Sequence, residues 1–471
     1  MTTKLDERAI EKWAIELLVQ EGYCEGSNND ALKRDRLNEV LLTEKLRAVI
    51  RRLNPQVPIS AIEGVLHQVQ SVWATGLFSG NQGFHRMLTG GIQITYYKDG
   101  NEQNDIIWLI DFENPENNEF YVVSQFTVTE NQHTKRPDIV LFVNGLPLVV
   151  IELKTPVNEN VNIESAFNQL ENYKATIPSL FTYNCVLVIS DGMEALAGSL
   201  TADYKRFMAW KSADGITKNP KPTLETLIKG MLNKKTLLDI IRYFIIFDGA
   251  TKQGTKKLAA YHQYYAANKA VESVLQASKS DGNQGGVVWH TQGAGKSLVM
   301  VFAAAKIIRM LNNPTIVVIT DRNDLDDQLF DTFATCNKEL LRQTPVQAKN
   351  RQHLIELLKV VSGGIVFTTI QKFQPENGNV YPQLSDRRNI VVIADEAHRT
   401  QYGFKAKIID ETDDKGNVIG KKQCMVLQNI CGMLCLTQPI LVLLVLQLKK
   451  RISIHERCLV NTSIYMILHK L

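Results

Sequence analysis

One stretch constrains the fold of this chain more than any other: the apolar run GVVW (286–289) leads into HTQGAGKS (290–297) and then LVMVFAAAK. A short apolar run, a glycine-bearing loop and an immediate helical pattern fit a buried strand that feeds a helix. A second run, IVVIADEAH, carries Asp395 and Glu396 at its carboxyl end. Around these two the pattern alternates: helix (258–278), strand GVVW, helix (296–311), strand TIVVIT, helices (324–342 and 351–361), strand GIVFTT and strand IVVIADE. Apolar strands alternating with helices predict a parallel α/β sheet covered on both faces.

The loop has a chemistry of its own. Backbone N–H groups at such a turn, together with the helix N-terminus, cradle phosphate oxygens. Thr291, Gln292, Gly293, Ala294 and Gly295 would form that cradle, Lys296 would reach the β and γ phosphates of ATP, and Ser297 would ligand its Mg²⁺. His290 stands where the first glycine of GxxxxGK[ST] usually does. Asp395 would hold the same Mg²⁺ through water, and Glu396 would activate the attacking water. A GKS alone also fits a plain structural turn, but both boxes in this order point to nucleotide hydrolysis.

A second signature lies upstream in RPDIVLFVNGLPLVVIELK (136–154). Asn144-Gly145 between apolar runs predicts a hairpin, because both central positions of a type I′ turn need positive φ. That turn brings Asp138 roughly opposite Glu152, although Pro147 leaves the register open. Glu152 and Lys154 are two apart and share a face. Two carboxylates can hold a hard cation such as Mg²⁺, while the lysine orients or deprotonates a water, which is the grouping phosphodiester cleavage needs. The plain alternative is a hairpin whose charged ends are solvated. Gln169 and Tyr173 are four apart in AFNQLENY and so share a helical face. Glu39 would lie on a helix running through ALKRDRLNEVLLTEKLRAVIRRLN (31–54), at the surface or as a further carboxylate.

Residues 1 to about 90 read as helical, a β-rich segment follows from Gly91, and a boundary falls near 245. The polar stretch DETDDKGNVIGKK (410–422) reads as an exposed loop. A formal charge of +4 over 471 residues is too small to identify a nucleic-acid partner, so a DNA-binding surface would be a local patch. The start, MTTKLDERAIEKW, lacks the apolar core of a signal peptide, which predicts a cytoplasmic protein. Seven cysteines without paired metal-ligand spacing argue against zinc or disulfide roles.

Pro137-Asp138 followed by Glu152-Leu153-Lys154 resembles the PD-(D/E)xK nucleases, and Asp395-Glu396-Ala397-His398 resembles motif II of superfamily 2 helicases and translocases. The order of PD-ExK, QxxxY, YHQY, HTQGAGKS, TDRNDLDDQ and DEAHRTQYG is similar to that of the restriction (R) subunit of type I restriction-modification enzymes, over about residues 1–424. The resemblance implies an N-terminal nuclease domain (1–245) and a first RecA-like motor lobe (246–424), both α/β. It implies that Gln169 and Tyr173 lie beside the nuclease centre, that Gln263 reads adenine, and that His398 couples hydrolysis to movement. It places Thr320, Arg322, Asp324 and Gln328, and then Thr369, Gln371 and Lys372, near the tracked strand. ATP and Mg²⁺ would be the cofactors; double-stranded DNA and the methyltransferase and specificity subunits would be the partners, with no membrane. A stand-alone helicase-nuclease of DNA repair, or a remnant that only binds DNA, are the other readings.

The tail (425–471) departs from that pattern. It holds a single acidic residue, Glu456, and ILVLLVL is too short for the roughly 20 apolar residues of a membrane span. A buried strand is one explanation. Another is that codons for FTGTPIEK, close to the family's motif III, read LLVLQLKK (443–450) when shifted by one nucleotide. This predicts a frameshifted tail in place of the second motor lobe, and a truncated protein.

Overall fold

The computed structural model describes residues 7–26, 34–155, 163–249, 254–279, 286–290, 293–320, 323–369, 372, 384–385, 387, 389–395, 407–412, 418–424, 444–446 and 465–468. The chain divides into two compact units, Met1–Tyr261 and His262–Leu471.

The first unit is built on a seven-stranded mixed sheet whose spatial order follows the chain: β1 (Cys24–Gly26), β2 (Phe120–Ser124), β3 (Ile139–Val143), β4 (Leu146–Leu153), β5 (Val186–Ser190), β6 (Ala195–Gly198) and β7 (Met208–Ala209). β3 and β4 are buried along their whole length, which explains why both read as unbroken apolar runs rather than alternating ones. Helix α1 (Glu7–Gln20) packs on β2 and β4. The parallel step from β4 to β5 is bridged by α5 (Ile163–Thr176), which covers both strands. Three further helices, α2 (Thr43–Leu53), α3 (Ile59–Ser71) and α4 (Leu77–Gly90), fill the segment between β1 and β2.

The β3–β4 hairpin turns as its sequence predicts, with Asn144 at φ +55° and Gly145 at φ +85°. The pairing then slips. Leu141 faces Val149 and Phe142 faces Pro147, so Leu148 is an extra residue on β4. Because side chains alternate faces along a strand, this one-residue bulge decides which residues share a face at the far end. It pairs Ile139 with Ile151 and so brings Asp138, the residue before β3, level with Glu152. Without the bulge, Asp138 would face Ile151, and its carboxylate would be directed to the other side of the sheet.

The helix expected over residues 31–54 begins only at Thr43. Tertiary contacts override the local period: Arg34 donates to the carbonyls of Glu39 (3.1 Å) and Thr127 (3.0 Å) and stacks over the Phe126 ring, while the Leu42 N–H donates to the Gly145 carbonyl at 2.9 Å. Residues 34–42 are thereby laid against the hairpin and its neighbours instead of coiling. Asn144 itself is fully buried, its side chain bonded to Leu109 O, Asn118 Oδ1 and the Glu119 N–H.

In the second unit, β11 (Thr315–Thr320), β12 (Pro345–Gln347), β13 (Ile365–Thr369) and β14 (Ile390–Ala394) form a wholly parallel sheet in the order β12-β13-β11-β14. β10 (Gly286–Trp289) pairs in parallel with two short strands of the tail, β15 (Leu444–Leu446) and β16 (Tyr465–Leu468), and β15 also touches β14. Helices α7 (Tyr261–Ala277), α8 (Lys296–Met310), α9 (Asn323–Thr335) and α10 (Arg351–Leu358) follow the expected alternation; α6 (Lys234–Tyr243) and the antiparallel pair β8 (Ile245–Asp248) and β9 (Thr255–Leu258) precede them in the first unit. The loop expected over 410–422 is a correction: Lys407–Thr412 and Val418–Cys424 pair as antiparallel strands. Ile408, Ile409, Val418 and Ile419 are β-branched, a sequence preference for extended backbone.

A candidate nuclease centre and phosphate loop

Asp138, Glu152, Gln169 and Tyr173 line one open cleft of about 1130 Å³ in the first unit. The sheet supplies the two carboxylates, and α5 supplies the amide and phenol, joined by a 2.7 Å bond from Gln169 Nε2 to Tyr173 Oη. Asp138 is 6% exposed and Glu152 only 1%. Asp138 Oδ2 accepts the Leu153 N–H at 2.7 Å, which ties the first carboxylate to the strand bearing the second. Lys154 Nζ donates to Glu152 Oε1 at 2.9 Å and to Leu153 O at 2.8 Å.

The cleft crowds its carboxylates together. Burial, and then the neighbouring Asp138 charge, push the Glu152 carboxyl up to about 8, against the opposing pull of Lys154. Burial also raises Asp138, which the Leu153 N–H, Lys154, Gln125 and Arg136 only partly offset. Burial works against the charged form of Lys154, but the carboxylates of Glu152, Asp138 and Glu7 outweigh it, so the ammonium is held above its ordinary value. Glu152 Oε2 is buried without a hydrogen-bond partner. An orphaned buried carboxylate oxygen beside a second carboxylate is a donor set that fits a hard divalent cation.

Sequence patterns missed several residues of this cleft. Glu7 and Glu11 of α1 line it, together with Gln125 and the basic Arg8, Lys135 and Arg136. Burial raises both glutamates, and Asp138 adds to the shift in each. Their i,i+4 spacing beside the buried face of α1 (Ile10, Ala14, Leu18) is the one signal that could have found them. Glu39 lies elsewhere, in a turn where it accepts the Asp35 N–H at 3.3 Å.

In the second unit the phosphate loop follows β10. Gly293 and Gly295 adopt φ +83° and +75°, and α8 starts at Lys296 with Gly295 as its N-cap. Leu298 and Val299 donate back to Gly295 O and close the first turn of the helix. Gln263 donates to Ala294 O (3.2 Å) and Gly295 O (3.4 Å), and His262 Nε2 lies 3.2 Å from Ala294 O. His290 is buried and its ring meets that of His262 at 5.6 Å. Asp395 follows β14 directly, its N–H bonded to Ile319 O at 2.9 Å. Ser297 is half-buried in the first turn of α8. Thr320 and Thr369 end their strands, Gln328 is exposed on α9, and Lys372 Nζ donates to Ala348 O. Thr291, Gln292, Arg322, Gln371, Glu396 and His398 lie outside the described residues, as does the side chain of Asp324.

A carboxylate–lysine cleft on a mixed sheet, followed by a parallel sheet with a glycine-bearing phosphate loop, defines a chain that joins a nuclease-like region to an ATPase region. Residues 4–206 match the type I restriction enzyme R protein N terminus, and residues 262–421 match the SWI2/SNF2 ATPase family. The chain is 44% identical over 421 residues to the type I restriction enzyme HindI endonuclease subunit of Haemophilus influenzae, covering 86% of this chain and 40% of that one. It is 34% identical over 434 residues to the putative MjaIXP endonuclease subunit of Methanocaldococcus jannaschii, covering 85% and 41%. A Staphylococcus aureus (strain COL) type I endonuclease subunit is 31% identical over 301 residues, covering 62% and 30%. The chain belongs to the R-protein family of type I restriction enzymes, with a SWI2/SNF2-like ATPase region. It spans about two fifths of the length of the first two of these relatives. Among the described residues, no helix is long and apolar enough to cross a membrane.

Proposed function

We propose that this chain supplies the DNA-cleaving and ATP-binding parts of a type I restriction enzyme: Mg²⁺-dependent hydrolysis of double-stranded DNA in the first unit, and ATP-driven movement of that DNA through the second. The observation that carries the nuclease half is the unpartnered, buried Oε2 of Glu152 beside Asp138. Asp138 and Glu152 would hold the cation. A Mg²⁺ bound there would polarise the scissile phosphate and lower the pKa of a water.

The protein's own groups do the rest. The Leu153 N–H fixes the Asp138 carboxylate. Lys154, 2.9 Å from Glu152 Oε1, pulls against the burial that favours the protonated carboxyl and directs an ammonium towards the site. Gln169 and Tyr173 form one wall, while Arg8, Lys135 and Arg136 offer cationic groups to a phosphodiester backbone. In the second unit, the N–H groups at Gly293–Ser297 and the Lys296 ammonium would hold ATP phosphates, with Ser297 and Asp395 on the Mg²⁺ side and Gln263 beside the loop. Glu396 and His398 keep the roles their motif implies.

Such a chain reads no target sequence by itself, so the methyltransferase and specificity subunits are its proposed partners, and the cytoplasm its site of action. The SWI2/SNF2 match ends at residue 421, and a change of reading frame near codon 424 would account for a tail unlike the family. Resequencing tests this last point: an intact frame with no motor sequence beyond it sinks it. The function is tested by nicking of supercoiled DNA with Mg²⁺ and by ATP binding, comparing the chain with Asp138→Ala and Lys296→Ala. Asp138→Ala is expected to abolish nicking alone, and Lys296→Ala to weaken ATP binding alone. Metal-dependent nicking that survives Asp138→Ala would refute the nuclease reading.

A further inference from the structure

Gln125 follows β2 and holds a left-handed backbone, φ +52°. A non-glycine residue enters that region at an energetic cost and stays there only when its surroundings over-determine it. Here the surroundings are the nuclease cleft. The Gln125 N–H donates to the Asp138 carbonyl at 2.8 Å, and its side-chain amide donates to Asp138 Oδ1 at 3.3 Å and to Glu11 Oε2. Asp138 Oδ2 is held separately by the Leu153 N–H. Each oxygen of Asp138 therefore has one fixed donor, and the carboxylate plane is set by two strands at once.

The chemistry of a carboxamide suits this place. It offers two N–H donors and no charge, so it can bridge two carboxylates without neutralising either. A lysine there would neutralise the two carboxylates it bridged, and a glutamate would repel them. Glu11 sits on α1 and has no strand to orient it; the amide is what links it to Asp138.

We propose that Gln125 is a positioning residue of the nuclease centre, whose amide sets the Asp138 and Glu11 carboxylates for the cation that Asp138 and Glu152 would hold. This rests on the cation-dependent reading of that pair. Groups that orient metal-binding carboxylates typically govern about 10–100-fold in metal affinity or activity.

Glycine tests this cleanly, because Gln125→Gly removes the amide while relieving the left-handed backbone. Mn²⁺ binding to the full chain without nucleotide, followed by electron paramagnetic resonance, is compared for the native chain, Gln125→Gly, Gln125→Asn and Asp138→Ala, with thermal melting alongside. Gln125→Gly is expected to melt no lower than the native chain and to need about ten-fold more Mn²⁺ for half-saturation. Nicking is expected to recover at high Mg²⁺. Gln125→Asn keeps an amide one methylene shorter on a residue that tolerates the left-handed region, and is expected to give a similar shift. Native-like Mn²⁺ binding by Gln125→Gly, with binding lost in Asp138→Ala, overturns the positioning role and leaves the nuclease reading standing. Native-like binding by Asp138→Ala overturns the cation reading, and the inference with it.

Discussion

The first unit carries its candidate chemistry on side chains, and the second carries it on main chain. In the nuclease cleft, Asp138 and Glu152 are buried at strand ends with Glu7 and Glu11 across from them, and the Glu152 carboxyl is pushed up to about 8. In the candidate phosphate loop the proposed cradle is made of uncharged peptide N–H groups, shaped by Gly293 and Gly295 and by the start of α8. The first site is thus poised by unfavourable charge that a cation would relieve. The second is poised by conformation, at little electrostatic cost to the fold. Sites of the first kind tie function to stability and pH, whereas those of the second kind separate them.

The largest effect that sharpens this contrast is expected from Glu152→Gln. Losing the anionic partner of the cation should cost roughly a thousand-fold in Mg²⁺-dependent nicking, several kcal/mol of transition-state stabilisation. The same variant should melt no lower than the native chain in a chelator, since it removes a buried like-charge conflict. A marked drop in melting temperature would break the comparison.

Next come two glycines. At Gly145, φ is +85° and a Cβ would stand 2.6 Å from Leu42 O, a backbone atom that cannot swing aside. Gly145→Ala is therefore expected to destabilise the first unit by about 3 kcal/mol, read by chemical denaturation. At Gly295, a Cβ would meet the end of the Gln263 side chain, which can move. Gly295→Ala should leave that denaturation midpoint unchanged and weaken ATP binding instead.

Lys296→Ala should weaken ATP binding by about ten- to a hundred-fold, the worth of one charge-assisted contact of roughly 1.5–3 kcal/mol. It should leave the melting of the first unit unchanged; calorimetric titration and melting together read both.

The last and most gradual effect is one of pH. The folded Glu152 value of about 8 lies above the ordinary 4.5, so the folded state binds the extra proton between those limits. Its stabilisation is complete below about pH 4.5 and is lost as pH rises through about 8, with a slope no steeper than ~1.4 kcal/mol per pH unit. In chelator, the melting temperature of the first unit should fall over that window. Saturating divalent cation or Glu152→Gln should flatten it, and a slope unaffected by either would show that the strain resides elsewhere.

How much of this could be read beforehand follows from the same contrast. The geometry of the candidate phosphate loop was legible because it is contiguous: a strand, two glycines and a helix start occupy one stretch of sequence. The hairpin turn was legible for the same reason, since Asn144 and Gly145 satisfy their own φ demands locally. The register beyond it was not, because the extra residue at Leu148 arises from how β4 pairs, and Pro147 only marked the place as irregular. Glu7, Glu11 and Gln125 escaped because they reach the cleft through the docking of α1 and through one left-handed residue, neither of which leaves a local period. Residues 34–42 showed a helical period that contacts with Thr127, Phe126 and Gly145 overrode.

The seating of Leu42 on Gly145 also sets where this unit can be cut for reuse. The PD-ExK signature spans only the hairpin, and a transplantable nuclease module could be drawn to begin at β2. Such a module would leave behind the segment that caps its own turn, as well as the two glutamates of α1. The borrowed hairpin would then present a bare, apolar bend to solvent, an edge prone to pairing with other chains. Any portable version has to start upstream of Glu7, so the smallest usable blade is far larger than its signature.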